Sequence, residues 1–264
     1  MPEGDTVWRT ARHLDQALSG WTLTGSDLRV PAHATVDLSG QPVLETIARG
    51  KHLLTRIGEG ESAVTLHTHL KMEGSWHLYR PGSRWRRPAH QARAVLSTEA
   101  WTAVGFSLGI VELLPRADED TVVGHLGPDL LGPDWDEDEA VRRLTADPDR
   151  AVGEALLDQR NLAGVGNMYK SELCFVLGFS PWRPVAQVPD LVKVVRRAKA
   201  VLEANKDRVE QSTTGDLRRG RRLWVYRRDK QACLRCRTPI RVAMQGPSET
   251  GQERATYWCP TCQH

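Results

Sequence analysis

The chain has 264 residues, of which 40% are hydrophobic and 26% charged, with 36 Lys and Arg against 33 Asp and Glu. That is enough chain for one large domain or two ordinary ones with real cores, and the composition excludes wholesale disorder. No apolar stretch is long enough to span a bilayer, and the start MPEGDTVWRT lacks the basic-then-apolar order of a signal peptide, so a cytoplasmic protein is expected.

Residues 5–18 predict a helix, with Val7, Trp8, Ala11, Leu14, Ala17 and Leu18 on one face, Asp5 placed to cap the start and Gly20 the end. Eight short β-prone runs follow between residues 21 and 114, punctuated by Gly, Pro and Ser. With no helical pattern between them, they predict an antiparallel sandwich or barrel. Residues 115–138 are rich in Gly, Pro and Asp and mark a domain boundary. Helical patterning then takes over. DEDEAVRRL opens with acidic residues suited to a helix N-terminus, and AVGEALLDQ reads as a second helix. GNMYKSELCFVLG reads as a third, ended by Gly178, and a long amphipathic helix is expected over residues 188–211. The last 35 residues read as a small β-hairpin module.

Charge is unevenly placed. Residues 118–149 carry 11 acidic and 2 basic side chains, whereas residues 193–241 carry 16 basic and 5 acidic. The basic half suits a polyanion partner. Four of the five cysteines form two Cys-x-x-Cys pairs, Cys233/Cys236 and Cys259/Cys262, separated by 22 residues. Each pair grips an ion from one side, and two pairs complete a sulfur tetrahedron, which suits zinc better than an iron–sulfur cluster. Four protein ligands leave no open position, so one structural zinc is expected and no redox cofactor. Cys174, in the apolar run LCFVLGF, reads as buried core.

Residues 159–172, QRNLAGVGNMYKSE, run a helix into a turn with Gly164 and Gly166 and start a new helix near Asn167. Alone, this is an ordinary turn. Beside a basic half and a metal hairpin it reads as a grip on a phosphate backbone, with backbone N–H groups and the Asn167 amide as donors. At the other end, removal of Met1 before Pro2 exposes a secondary amine whose pKa lies near 7.7–8.0, the ordinary α-amino range. Such an amine attacking a sugar aldehyde gives an iminium, an electron sink that favours elimination, with Glu3 beside it to move protons.

These pieces occur together and in order. The start MPEG before a short helix, RGKHLL at 49–54, HLKMEG at 69–74, LGPDLL at 126–131, the QRNLAGVGNMYKSE segment and the ending CLRC…RATYWCPTCQ resemble the formamidopyrimidine-DNA glycosylase and endonuclease VIII family over nearly the whole chain. The resemblance implies an α+β fold in two domains. An N-terminal antiparallel β-sandwich with flanking helices would span residues 1–114 and a hinge residues 115–135. A helical domain with a helix–two-turn–helix motif would span residues 136–224, and a zinc-finger hairpin residues 225–264. It implies that DNA binds in the cleft between the domains. It also implies base-excision repair: removal of an oxidised base from double-stranded DNA and β,δ-elimination at the abasic site, by a monomer acting on the nucleoid. Pro2 matches the family's Schiff-base nucleophile, Glu3 its catalytic acid and Lys51 its phosphate-contacting catalytic lysine. Asn167 matches the phosphate-binding asparagine and Arg254 the zinc-finger arginine beside the lesion. Met72 falls where the family fills the gap left by an everted base, and His125 near a DNA contact usually made by Arg.

The sequence departs from the family pattern at three places. Thr6 stands where a second glutamate is usual, with Asp5 beside it; Lys71 and Glu73 flank Met72 with charge; and residues 213–224 are shorter than the loop that covers flipped purines. The last leans toward oxidised pyrimidines. The Thr6 position keeps open an abasic-site lyase, or a damaged-DNA-binding protein, with weak or no glycosylase activity. A zinc-ribbon regulator would explain the cysteines but not residues 1–74.

Overall fold

A computed structural model describes residues 2–247 and 253–264, apart from the Ser62 side chain. The chain divides into two compact units, Met1–His125 and Leu126–His264. The division falls inside the Gly/Pro/Asp-rich stretch, which also contributes a short helix to the first unit.

The first unit opens with helix α1 (Gly4–Leu18). Eight strands follow: β1 (Gly25–Leu28), β2 (Val43–Arg49), β3 (His52–Ile57), β4 (Val64–His69), β5 (Ser75–Tyr79), β6 (Ala92–Ser97), β7 (Thr102–Phe106) and β8 (Ile110–Pro115). Helix α2 (Asp120–Val123) closes the unit. The strands form two four-stranded sheets, ordered β1-β6-β7-β5 and β2-β3-β4-β8. Every pairing is antiparallel. Period-two alternation turns Leu53 and Ile57 of β3 and Leu66 of β4 into one core. They are joined there by Leu28, Leu96 and Ala103 of the other sheet and by Val7, Leu14 and Leu18 of α1. The alternate residues of β3, β4 and β8, His52, His67, His69 and Glu112 among them, share the opposite face. Helix α1 begins one residue earlier than its pattern suggests, with Glu3 rather than Asp5 at the N-cap position.

The second unit holds α3 (Glu137–Thr145), α4 (Val152–Leu157), α5 (Asn167–Leu177), α6 (Leu191–Asn205) and the hairpin strands β9 (Arg241–Gln245) and β10 (Arg254–Trp258). The Asp136 carboxylate accepts the Glu139 N–H at 2.9 Å, and Asp190 accepts the Lys193 N–H at 2.8 Å, so α3 and α6 start where a side chain satisfies an otherwise orphan donor. Gly178 ends α5 in the left-handed region at φ 82°, which glycine adopts without a Cβ clash. Helix α6 stops six residues short of its predicted end. The buried Asn205 amide there bonds both the N–H and the carbonyl of Ser212, which turns the chain back. Leu144, Leu156, Leu173, Val194 and Leu202 build the helical core. Phe175, Val225, Ile240, Cys233 and Cys259 form a separate small core under the hairpin. Among the described residues, no helix is long and apolar enough to cross a membrane.

Candidate nucleic-acid interface and metal centre

In the first unit, Pro2 and the buried Glu3 head α1, which packs chiefly on β2. Asp15 of the same helix accepts the Thr46 N–H of β2 at 2.8 Å and fixes that docking. Met1, whose removal the sequence predicts, lies outside the described residues. Asp5 is buried in the first helical turn, while Thr6 is half-buried and its carbonyl accepts the Thr10 hydroxyl.

Strand β2 turns into β3 through Gly50 and Lys51, with Arg49 opposite His52. Gly50 has φ 58°, the positive value that a two-residue hairpin of this hand requires at its first central position. Lys51 therefore sits at a tight hairpin tip. Met72, 61% exposed, lies in the next turn on the same side of the sheet, just past His69. Its flanking charges, Lys71 and Glu73, are exposed beside it.

Four histidines surround these two turns. His52 stacks on His67 with ring centroids 5.0 Å apart, and meets His69 edge-on at 5.0 Å and His125 at 6.4 Å. Burial, then the neighbouring rings and Lys71, pull His52 down to about 3. Burial, then Lys71 and Lys51, pull His69 down to about 4. Both rings are uncharged at neutral pH, in a wall whose fixed positive charges are the two lysines. Of this group, only His125 was singled out from sequence, as a DNA contact. The available signal was His67 and His69 two apart in a strand, hence on one face, opposite a strand opening with His52.

In the second unit, the turn before α5 is braced by Gln159. Its amide donates to the carbonyls of Leu157 and Val165 and accepts the Gly164 N–H. Gly164 takes φ 112°, a conformation closed to other residues without strain. The turn delivers Asn167 to the first position of α5, where the helix dipole is positive. The Asn167 amide donates to the Ala255 carbonyl at 2.8 Å, next to the exposed Arg254 at the start of β10. Its Oδ1 is buried without a hydrogen-bond partner. The structure thus brings Asn167 and Arg254, 87 residues apart in sequence, to one spot. The buried Lys170, one turn along α5, bonds Thr256 and Gln245 and staples the helix to both hairpin strands.

A second anchor is Glu172. Its carboxylate is fully buried and accepts the backbone N–H groups of Trp224, Val225 and Tyr226, each at 2.8 Å, and the Thr213 hydroxyl. Burial pushes this carboxyl up while the four donors pull the other way. Neither Lys170 nor Glu172 was singled out from sequence. Charged residues inside an apolar helix, at three- and five-residue offsets from Asn167, were the missed signal.

The four cysteines converge. Their sulfurs all lie within 4.8 Å of one another, with Cys236–Cys259 at 3.4 Å and Cys233–Cys262 at 4.0 Å. A tetrahedron with metal–sulfur bonds of about 2.3 Å has sulfurs about 3.8 Å apart. The donor set therefore fits one tetrahedral metal ion. Hydrogen bonds from Thr238 draw Cys236 down to about 6, whereas burial lifts Cys259 and Cys262. Cys174 is fully buried in the helical core, and burial lifts its thiol to about 12.

Two family models match the chain in succession. The formamidopyrimidine-DNA glycosylase N-terminal domain matches residues 1–107, and the formamidopyrimidine-DNA glycosylase H2TH domain matches residues 126–215. The chain belongs to the formamidopyrimidine-DNA glycosylase and endonuclease VIII family. Among relatives of this family, the probable endonuclease 8 2 of Streptomyces coelicolor is 57% identical over all of this chain and 94% of its own length. The DNA-(apurinic or apyrimidinic site) lyase Nei2 of Mycolicibacterium smegmatis is 50% identical over all of this chain and 99% of its own. Among solved structures, the Lactococcus lactis Fpg in complex with abasic-site DNA superposes over the whole of both chains, with a TM-score of 0.81 at 20% identity. That likeness establishes the family fold.

Proposed function

We propose that the protein is a base-excision DNA repair enzyme, a DNA glycosylase that removes oxidised bases and an abasic-site lyase that then cleaves the strand. The observation that carries this reading is end-to-end kinship with the endonuclease 8 and Nei2 proteins, in a chain that keeps Pro2 and Glu3 at the head of a docked helix.

With Met1 removed, the Pro2 nitrogen attacks C1′ of the damaged nucleotide. The glycosidic bond breaks and the base leaves with the proton of the amine; the C1′–O4′ bond then opens, O4′ takes a proton, and nitrogen and C1′ form an iminium. That cation acidifies the C2′ hydrogens. Loss of one expels the 3′ phosphate in β-elimination, and a second elimination expels the 5′ phosphate. Glu3 and Lys51 give and take the protons. Lys51 in the first unit, and Asn167 and Arg254 in the second, meet backbone phosphates, which position the duplex without reading its sequence. Met72 fills the gap left by the everted base, with His125 as a further DNA contact. The four cysteines hold one structural zinc, which supplies folding energy and has no open position for chemistry. No step needs a redox cofactor. The partner is double-stranded DNA carrying oxidised bases or abasic sites, met in the cytoplasm by a monomer. Oxidised pyrimidines are the preferred bases. Residues 213–224, shorter than the loop that covers flipped purines, support this; the Ser212 and Thr214 hydroxyls bond the Arg222 and Arg221 carbonyls across the segment, and Glu172 accepts the Trp224 N–H at its end.

The test is borohydride trapping on three duplexes carrying an abasic site, an oxidised pyrimidine or an oxidised purine. Adducts mapped by mass to Pro2 on the first two establish both activities and the base class. An adduct on the abasic duplex alone makes the protein a lyase whose Thr6 has removed the excision step. No adduct on any duplex, with a free Pro2 amine and tight binding, overturns the enzyme reading in favour of a damaged-DNA-binding protein.

A further inference from the structure

Behind the Lys51 turn runs a chain of hydrogen bonds that the mechanism above does not use. His52 Nδ1 lies 2.8 Å from His67 Nε2, and His67 Nδ1 lies 2.9 Å from a Glu112 carboxylate oxygen. The three residues come from adjacent strands β3, β4 and β8 and share one face of the sheet. His67 is buried, whereas Glu112 is half-exposed at the outer end of the chain.

The chemistry of the groups gives this chain a direction. A carboxylate only accepts, so His67 carries its hydrogen on Nδ1. With that one hydrogen on its ring, His67 accepts at Nε2, and the hydrogen in the 2.8 Å contact is carried by His52 Nδ1. His52 is left with a bare lone pair on Nε2. His69 is oriented independently: its Nδ1 accepts the Lys71 N–H at 2.8 Å, which puts its hydrogen on Nε2. The groups around His52 are therefore His67, His69, His125 and Lys71, with Lys51 adjoining His69. One bare ring nitrogen belongs to a ring that neighbours Lys71 and directly follows Lys51 in the chain, backed through His67 by a carboxylate. Hydrogen bonds in such a chain polarise one another, so the Glu112 charge is felt at its far end.

We propose that His67 and Glu112 are positioning residues: acting through His52, they present an oriented acceptor to the two lysine-bearing turns and so hold Lys51 and the Met72 loop for a DNA phosphate and the lesion gap. His52 opens β3 directly after Lys51, and His69 closes β4 directly before the Lys71–Met72 turn, so the relay spans the roots of both. The inference rests on the lyase reading for its effect on rate, but its geometry is independent of that reading.

The experiment uses the full-length, zinc-loaded protein labelled with 15N in histidine. Long-range 1H–15N spectra at pH 6–8 give the tautomer of each ring. Single-turnover cleavage of an abasic duplex gives the rate. His52 is expected uncharged with its hydrogen on Nδ1. His67→Gln keeps a donor for Glu112 and an acceptor for His52, so tautomer and rate stay within about two-fold of the parent. His67→Leu cuts the chain, so His52 moves to the Nε2–H form and the rate falls about ten- to a hundred-fold, the scale of a small misplacement of catalytic groups. Glu112→Gln, at a half-exposed position, removes the charge without touching the core. There His52 becomes a mixture of tautomers, with an intermediate rate. A parent protein whose His52 carries its hydrogen on Nε2, or whose His67 is doubly protonated, overturns the relay. So does a full rate in His67→Leu or Glu112→Gln once the tautomer has changed. If no abasic duplex is cleaved by the parent protein, the enzyme reading fails instead, and the spectra still decide the geometry of the chain.

Discussion

The two candidate DNA-facing regions are built by opposite means. In the second unit, Asn167 and Arg254 are held by short-range devices: a glycine turn, a helix start, two Cys-x-x-Cys turns and buried ionic anchors. In the first unit, Lys51 sits at a hairpin tip and Met72 in the turn that crosses from one sheet to the other, and the groups behind them come from three strands and a helix end. The first arrangement relies on a four-cysteine site that fits a metal ion and on charges sealed from water. The second relies on clustered imidazoles, of which the largely buried His52 and His69 are uncharged at neutral pH. The two regions should therefore fail differently when perturbed: the hairpin abruptly, the histidine wall in proportion to pH.

The largest effect is expected at the metal centre. Structural zinc sites draw folding energy directly from ligation, on the order of 10 kcal/mol. Cys233→Ser, or removal of zinc by a chelator, should unfold the hairpin and abolish DNA binding while the sandwich of the first unit keeps its far-UV signature. Zinc content by elemental analysis and DNA affinity by fluorescence anisotropy report this together. Normal affinity in a zinc-free protein would remove the metal from its structural role.

Next in size is Glu172. Replacing it with Leu leaves three backbone N–H groups and the Thr213 hydroxyl buried without an acceptor. At about 1–3 kcal/mol for each orphaned donor, less what water recovers, the loss is roughly 4 kcal/mol in urea unfolding. Glu172→Gln, which keeps one oxygen for two of the four donors, should lose about half of that. Equal losses in the two variants would mean that packing, not the donor nest, holds residues 213–226.

The same contrast explains what could be read in advance. The Cys pairs, the Gly-x-Gly-Asn turn and the eight β-prone runs are local patterns, and each occupies the element it predicts. What was missed depends on register or on tertiary docking. The His52–His67–Glu112 alignment exists only because β3, β4 and β8 pair as they do, and a one-residue slip would send those rings into the core. The end of α6 depends on the Asn205 amide finding Ser212, which no propensity reports. Lys170 and Glu172, on different sides of α5, are buried only because the hairpin covers one and the 213–226 segment the other. Pro2, Glu3 and Asn167 could be read from the chemistry of a Met-Pro-Glu start and a glycine turn as well as from resemblance to a family, whereas the roles of Lys51, Met72, His125 and Arg254 came from the resemblance alone.

The histidine wall should show itself through pH. His52 and His69 stand near 3 and 4 in the folded protein, against about 6.5 in an unfolded chain. Below about pH 6.5 the unfolded chain takes up protons that the folded one does not, so stability falls as pH drops and is unaffected by these rings above pH 7. Between pH 7 and 4.5 the loss is about 2 kcal/mol for each ring after allowance for solvent screening. Urea unfolding across that range should give a shallower pH dependence in His52→Gln than in the parent protein. Parallel curves would place the origin of the acid lability elsewhere.

The smallest effect on folding, and the sharpest on recognition, belongs to Met72. Its side chain is 61% exposed in the free protein, so Met72→Ala removes little buried area and should change stability by less than about 0.5 kcal/mol. A wedge stacked into a duplex gap is another matter, because there the side chain leaves water completely. Losing it should weaken binding to an uncleavable abasic-site duplex by about ten-fold, close to the value of one buried apolar side chain. Binding to undamaged duplex should not change, since phosphate contacts carry it. The difference between the two affinities, measured at one salt concentration, isolates the wedge from the lysines beside it. An equal loss on both duplexes would make Met72 a general contact of the turn, and the exposed, charge-flanked residue would then owe its position to Lys71 rather than to the lesion.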